Sequence, residues 1–214
     1  TDYDPYPWQF QDAENISLPD KSFDWVIVHA GLHHCASPHR ALCEMLRVAK
    51  RGVLAIEARD SILMRAAVTL GLTYDFELEP ALLSGGKYGG YRNTHIPNYI
   101  YRWTEREFKK TVISFVPDEE VRFEFRYGYA LPLQRMAMSK NIIKRAATSA
   151  AQFTKVILER IAPRQGNCFA MVAEKTGHLK PWLRQEPSGV SVDLEYIANS
   201  RGYDQSKYRS SPAG

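Results

Sequence analysis

The feature of this sequence that most constrains its fold is a pair of short apolar runs separated by a segment with helical periodicity. Trp25-Val26-Ile27-Val28 is the first run, and Val53-Leu54-Ala55-Ile56 is the second. Both runs are continuously apolar rather than alternating, which is typical of strands covered on both faces, as in parallel sheets. The sequence therefore predicts a strand–helix–strand unit with a right-handed crossover.

The helix between the two runs carries end signals of its own. Ser37-Pro38 is typical of an N-cap followed by proline at the first helical position. Gly52 is expected to end the helix, because glycine is common just past helix C-termini. Apolar residues recur between these points at helical spacing: Ala41, Leu42, Met45, Leu46 and Ala49.

Six further elements are predicted from periodicity and end signals. Residues 121–130, "VRFEFRYGYA", alternate strictly, which predicts an edge strand with one face in water. Thr104, followed three residues later by Glu107, is a capping-box signature. The predicted elements are a short strand over 8–11, helices over Ile62–Leu70 and Thr104–Phe115, the strand over 121–129, a long amphipathic helix over 140–162 and a last core strand over 167–174.

Composition limits the classes of function. The 214 residues are 44% hydrophobic and 24% charged, which is ordinary for a globular domain. The net charge of +4 permits an acidic substrate but does not call for nucleic acid as a partner. Three widely spaced cysteines fit neither a disulfide framework nor a metal site, so no metal is predicted and a cytoplasmic location is expected. No apolar run approaches the roughly 18 residues that a bilayer-spanning helix needs.

Chemistry-bearing residues cluster where the predicted strands end. In open α/β sheets, ligands bind beyond the carboxyl ends of the strands. Residues 12–14, residues 29–34 and Glu57 occupy such positions. An acid there can accept hydrogen bonds from an amino group or from ribose hydroxyls. The small residues Ala30 and Gly31 let a ligand approach the backbone closely.

Together, these segments resemble the second half of a class I S-adenosylmethionine-dependent methyltransferase, of the group called methyltransferase type 11. "DAENISLPDKSFDWVIVHAGLHH", residues 12–34, and "ALCEMLRVAKRGVLAIE", residues 41–57, are similar to the family's segment from the end of the third strand through the fifth. The resemblance covers residues 8–58 and, more weakly, "NCFAMVAEK" as the final strand. It implies an α/β fold with part of a Rossmann-like sheet, of order 3-2-1-4-5-7-6 in the family, and helices on both faces.

The resemblance also implies a cofactor, S-adenosylmethionine, and residues that hold it. Asp12 would contact the adenine amino group, with the backbone of Ala13 and Glu14 along the ring. The methionine part would be lined by three residues just after the following strand: His29, Ala30 and Gly31.

Transfer of the methyl group to an oxygen acceptor also needs a base. His33 and His34 lie where a base could reach an acceptor, and they are the predicted catalytic residues. The alternative is that one of them packs against or caps the following helix. Glu57 is predicted to contact the substrate, the alternative being a solvated acid at a strand end.

A second candidate group lies in residues 84–102, "SGGKYGGYRNTHIPNYIYR". Its two glycine pairs allow hinge motion, and its aromatic and basic side chains could hold a sugar or an anionic group. This segment is predicted to be a lid over a small-molecule acceptor, such as a sugar or lipid-linked saccharide. The alternative is an ordinary surface loop. The substrate-binding residues predicted in it are Tyr91, Arg92 and His95.

The chain is expected to hold a partial methyltransferase domain over 1–175 and a polar, mobile tail over 176–214. Gly31 is the first glycine, so the family's glycine-rich cofactor loop is not in this sequence. The expectation is that the chain is a carboxy-terminal fragment of an enzyme. The alternative is a non-catalytic binding module derived from a methyltransferase. A basic helix within 135–164 could lie on an anionic membrane, but packing of its apolar stripe on the sheet is the favoured interpretation.

Overall fold

The structure, a computed structural model, describes residues 8–131 and 142–202. Its main sheet has the strand order β1-β2-β4-β3. β1 and β2 are parallel, whereas β4 runs antiparallel to both β2 and β3. This order is the one expected for the fourth, fifth, seventh and sixth strands of a methyltransferase sheet, so the α/β fold class is confirmed. The strands are β1 (Phe23–His29), β2 (Ala49–Ala58), β3 (Glu119–Gly128) and β4 (Cys168–Leu179).

The predicted helix starts are confirmed by their caps. The Ser37 side chain accepts a hydrogen bond from the Arg40 N–H, and Thr104 accepts one from the Glu107 N–H. The helices are α1 (Pro38–Val48), α2 (Ile62–Thr69), α3 (Glu79–Leu83), α4 (Glu105–Phe115), α5 (Ile142–Ile161) and α6 (Leu194–Arg201).

The core lies between one face of the main sheet and helices α1 and α4. β3 is an edge strand, as its alternation predicts, and its inward side chains, such as Phe123, pack against this core while Arg122 and Glu124 are exposed. The largest fully buried apolar side chains in the core include Leu42, Leu46, Trp103, Phe108 and Phe169.

Two boundary predictions are wrong. Helix α1 ends at Val48, and β2 begins directly at Ala49, so Gly52 lies inside the strand instead of ending the helix. Residues 8–11 are irregular, and Asp12 forms only an isolated bridge with Asn15. Within the described ranges no strand borders β1 on the side away from β2, so this edge of β1 is unpaired and residues 8–11 do not extend it as a strand.

The expectation of a featureless tail from residue 176 is corrected up to residue 202. β4 continues to Leu179, and a hairpin of β5 (Leu183–Glu186) and β6 (Gly189–Val192) follows. Asp193 caps helix α6, which ends at Gly202 in the left-handed conformation. Residues 203–214 lie outside the described residues.

The long basic helix also differs from its favoured interpretation. Along the described part of α5, the apolar stripe faces outward, with Phe153 69% and Ile161 73% exposed. Among the described elements, the helix contacts mainly the short turn Pro163–Gln165 that follows it. Residues 132–141, with the first basic positions of the predicted segment, are outside the description. Among the described helices, none is long and apolar enough to cross a bilayer.

Candidate functional site

The predicted site residues after β1 and at the end of β2 lie side by side, because parallel strands end at the same edge of a sheet. The Ala30 N–H donates to the Ile56 carbonyl oxygen at 2.9 Å, which ties the loop after β1 to β2. A short 3-10 turn, Leu32–His34, follows this loop. The loop and turn carry five of the predicted site residues: His29, Ala30, Gly31, His33 and His34.

The carboxylate of Glu57 connects several groups of this loop and turn. Its Oε1 accepts hydrogen bonds from the N–H groups of Gly31 (2.9 Å) and Leu32 (2.8 Å). Its Oε2 lies 2.9 Å from His33 Nδ1. Because Glu57 is only 2% exposed, its observed contacts are with the loop and not with open space. This geometry gives Glu57 a positioning role and lends no support to the predicted substrate contact.

Two of the three residues predicted to line the methionine part of the cofactor are exposed. Ala30 has a φ of 48°, a left-handed conformation uncommon for alanine, and both His29 and Ala30 are exposed. A Cβ on Gly31 would lie 2.8 Å from Val28 Cγ2, so only glycine fits there without a shift. The N–H groups of Ala30 and Gly31 are bonded to Ile56 and Glu57, so a ligand would meet exposed surface here and not free N–H donors.

The predicted adenine-side residues are brought to the same loop. Glu14 accepts hydrogen bonds from the N–H groups of Ala36 (3.0 Å) and Ser37 (2.8 Å), just before α1. Asp12 Oδ1 accepts from the Glu14 N–H at 2.9 Å, which fixes the turn, while Asp12 and Ala13 are exposed. Glu14 thus anchors the segment through its side chain, and Asp12 and Ala13 are left accessible.

Three acids lie near the Cys35 thiol between the two segments. Burial is the main cause that raises the pKa of this thiol to about 11; the carboxylates of Glu14, Glu57 and Asp12 raise it further, and Arg92 lowers it. The Cys35 Sγ lies 3.7 Å from the Gly31 carbonyl oxygen, so the charges that act on this thiol also act beside the loop. A cation bound there would be stabilised by these acids.

The two histidines meet at a third acid that sequence reasoning missed. His33 is buried and His34 is partly exposed, and the Nε2 atom of each lies 3.5 Å from Glu77 Oε2. Burial lowers the pKa of His33, but its hydrogen bond to Glu57 and the charges of Glu57 and Glu77 outweigh burial and raise it overall. Glu77 lies in a stretch without periodicity, so no local pattern marks it. Its N–H donates to the Asn98 carbonyl oxygen at 3.0 Å, and the Asn98 side chain donates to the His33 carbonyl oxygen.

Part of the proposed lid, residues 84–102, contacts the candidate site. Tyr91 and Arg92 lie in a short turn that contacts the Leu32–His34 turn. Arg92 Nη2 is 3.6 Å from Glu14 Oε2. His95 and Tyr91 are both exposed in this loop. Beside Glu77, a cleft of about 750 Å³ opens between residues 73–82 and Ile100.

This arrangement defines a class: a Rossmann-like α/β sheet of methyltransferase order, with two partly exposed loops at the carboxyl end of its parallel strands. Residues 3–56 match the family model of the methyltransferase domain. The match covers about a quarter of the chain, over the segment that resembles this family in sequence, and supports the resemblance there. No curated protein matches the chain.

Solved structures of methyltransferases are similar to this chain at low identity. A SAM-dependent methyltransferase from Thermotoga maritima is 16% identical, with a TM-score of 0.39, and the alignment covers 77% of this chain and 61% of that one. A methyltransferase in complex with the Trm112 activator from Haloferax volcanii is 16% identical, with a TM-score of 0.45, and 78% and 60% of the two chains are covered. The chain thus spans about three fifths of the length of these two proteins.

Proposed function

We propose that this chain is part of an enzyme that transfers the methyl group of S-adenosylmethionine to a small-molecule acceptor. One observation carries the proposal: within the family-matched segment, the Glu14 side chain binds the backbone of Ser37, in the loop region after β1 that also holds residues 30–31, His33 and His34. When bound, the cofactor supplies an electrophilic methyl group on a sulfonium centre. The residues of this chain would bind the cofactor, orient the acceptor and remove the acceptor's proton.

Two groups of residues would hold the cofactor. Asp12 would accept a hydrogen bond from the adenine amino group, with the backbone of Ala13 and Glu14 along the ring. Residues 29–31 would line the methionine part. The acids that raise the pKa of Cys35 also favour a cofactor that carries a positive sulfonium.

His33 and His34 would act on the acceptor. In this proposal His34, whose side chain is 34% exposed, takes the proton of an acceptor hydroxyl. His33 is held by Glu57 through Nδ1, and this contact fixes the orientation of its ring. His33 would therefore position the acceptor and its neighbour His34, with Glu57 acting through His33.

Replacing Asp12 by alanine should weaken cofactor binding. The variant removes an acceptor for the adenine amino group, and losing one or two such hydrogen bonds costs about 1–3 kcal/mol. The dissociation constant for S-adenosylmethionine should rise by about 5- to 150-fold. Isothermal titration on the natural polypeptide that contains this chain measures the change.

Asp24→Ala is the matched control, because Asp24 is an exposed acid on β1, before the loop. It should leave the affinity unchanged. An unchanged affinity in Asp12→Ala would remove Asp12 from the site. Failure of the wild-type polypeptide to bind the cofactor would favour the non-catalytic module. The coding sequence upstream of Thr1 gives a further discriminator, since an in-frame strand ending in Gly-x-Gly-x-Gly favours the enzyme.

For the acceptor we propose a small molecule with a sugar or anionic part, held under residues 84–102. The support is the exposed group of Tyr91, Arg92 and His95 in a loop that touches the histidine turn. Positive φ angles at Gly85 and Gly86 give this loop a hinge that side-chain-bearing residues would resist. A lipid-linked saccharide is the more specific form of this proposal.

His95→Ala is expected to lower acceptor turnover by about tenfold or more while cofactor affinity stays within about twofold, because His95 lies in the lid and outside the cofactor loops. Arg92→Ala should also lower turnover, with a larger effect on the cofactor because Arg92 lies 3.6 Å from Glu14. Steady-state kinetics with both variants, beside isothermal titration of the cofactor, separates the two effects. Unaltered kinetics in both variants would make residues 84–102 a plain surface loop.

A further inference from the structure

We propose that His33, His34 and Glu77 form a binding site for a divalent first-row transition metal ion. The three ligand atoms are His33 Nε2, His34 Nε2 and Glu77 Oε2, and all lie within 4.8 Å of one another. Two imidazoles and one carboxylate, with further positions open, are a donor set used for such ions.

The distances between these atoms suit a shared ion better than direct hydrogen bonds. Each histidine Nε2 is 3.5 Å from Glu77 Oε2. An N–H···O hydrogen bond is usually about 2.7–3.2 Å long. Metal–ligand bonds of about 2.0–2.1 Å in a tetrahedral site place neighbouring ligand atoms about 3.3 Å apart. The two histidine–glutamate spacings of 3.5 Å are therefore close to the edge of a coordination tetrahedron.

Glu57 supports the proposed metal site by contacting the second ring nitrogen of His33. A metal-binding histidine usually donates its other ring N–H to a carboxylate, which fixes the tautomer that leaves a lone pair for the metal. Glu57 Oε2 lies 2.9 Å from His33 Nδ1, so the His33 Nε2 lone pair is directed toward Glu77. Asn98, itself buried, joins the backbones of His33 and Glu77 and holds the two ligands at this spacing.

A second observation points independently to a missing partner. Glu77 Oε2 is fully buried, and no hydrogen bond reaches it within residues 8–131 and 142–202. Its two ion-pair contacts, the histidine Nε2 atoms at 3.5 Å, are too far for a good hydrogen bond. A buried carboxylate oxygen that accepts no hydrogen bond costs free energy, and a cation bound between it and the two histidines would supply the missing interaction.

The donor set also limits the ion. Two nitrogen ligands favour zinc, cobalt, nickel or iron over magnesium and calcium, which prefer oxygen. Glu77 also lines the neighbouring cleft, from which an oxygen of the acceptor could reach the ion. This use of the ion rests on the proposed function: a bound ion lowers the pKa of a coordinated acceptor hydroxyl, so that its proton passes to solvent water, and His34 then acts as a ligand in place of a base.

Metal binding can be measured without cofactor or acceptor. The 214-residue chain, stripped with a chelator, is titrated with Co²⁺ and followed by visible absorption, with Zn²⁺ as competitor and Mg²⁺ as a third probe. We expect one Co²⁺ per chain, displacement by Zn²⁺ and no binding of Mg²⁺. His34→Ala and Glu77→Gln should each weaken Co²⁺ binding at least tenfold, and far-UV circular dichroism checks that both fold.

His39→Ala is the matched control, because His39 pairs with Glu107 at 3.0 Å outside the cluster. It should leave the affinity unchanged. Glu57→Gln should weaken binding by about 10- to 100-fold, since it disturbs the tautomer of His33. Absence of Co²⁺ binding, or binding that His34→Ala and Glu77→Gln leave unaltered, overturns the site and leaves a plain ion pair. Cofactor binding is a separate measurement, so this failure is distinguishable from failure of the proposed function.

Discussion

Replacing Glu57 by alanine is expected to lower the free energy of unfolding by about 3–5 kcal/mol, the range found when one partner of a buried charged pair is removed. The Glu57 carboxylate accepts from two backbone N–H groups, of Gly31 and Leu32, and contacts His33 Nδ1. Alanine would leave these donors in a buried space without an acceptor. The midpoint and slope of urea unfolding, followed by circular dichroism, give the change.

Two further variants serve as comparisons for Glu57→Ala. Glu57→Gln keeps an oxygen for the backbone N–H groups and should lose only about 1–2 kcal/mol, because one of the three contacts is changed. Glu124→Ala, on the exposed face of β3, should stay within about 0.5 kcal/mol of the original chain. If Glu57→Ala lost less than about 1 kcal/mol, the loop after β1 would not depend on this carboxylate.

The parts of the fold that the sequence predicts correctly have local causes. A continuous apolar run, a serine before proline and strict alternation are each produced by neighbouring residues, and they locate β1, the start of α1 and the edge strand β3. The hairpin and α6 were missed although a signal was present. Asp193 accepts a hydrogen bond from the Tyr196 N–H, and Gly202 is left-handed, which is the start-and-stop pattern of a short helix.

The candidate site is less visible in the sequence because its contacts are distant along the chain. His33 and Glu57 were predicted to share one edge of the sheet, and the structure joins them. Glu77 could not be found in this way, since it comes from an irregular stretch and meets His33 only through the tertiary fold. The outward face of α5 was missed for a related reason: periodicity reveals an apolar stripe but does not say what the stripe contacts.

Glycine occurs both at helix ends and inside strands, and replacing Gly52 gives the second large predicted effect on stability. A glycine after a helical pattern suggests a C-cap, but here it lies in β2 between Trp25 of β1 and Glu174 of β4. A Cβ at this position would lie 2.3 Å from the Ala173 carbonyl oxygen and 2.8 Å from Trp25 Cζ3. Because the first contact is with backbone, Gly52→Ala should push β2 and β4 apart and lower the free energy of unfolding by about 2–3 kcal/mol.

The matched control for Gly52→Ala separates this clash from the general effect of replacing glycine. Gly71 has a φ of +68°, and a Cβ there would meet nothing within 4 Å. Gly71→Ala should therefore lose only the strain of a left-handed alanine, about 1 kcal/mol. Urea unfolding of both variants gives the comparison, and hydrogen exchange should locate the faster-exchanging amides of Gly52→Ala along β2 and β4. A loss no larger than that of Gly71→Ala would mean that the two strands can move apart without disturbing the core.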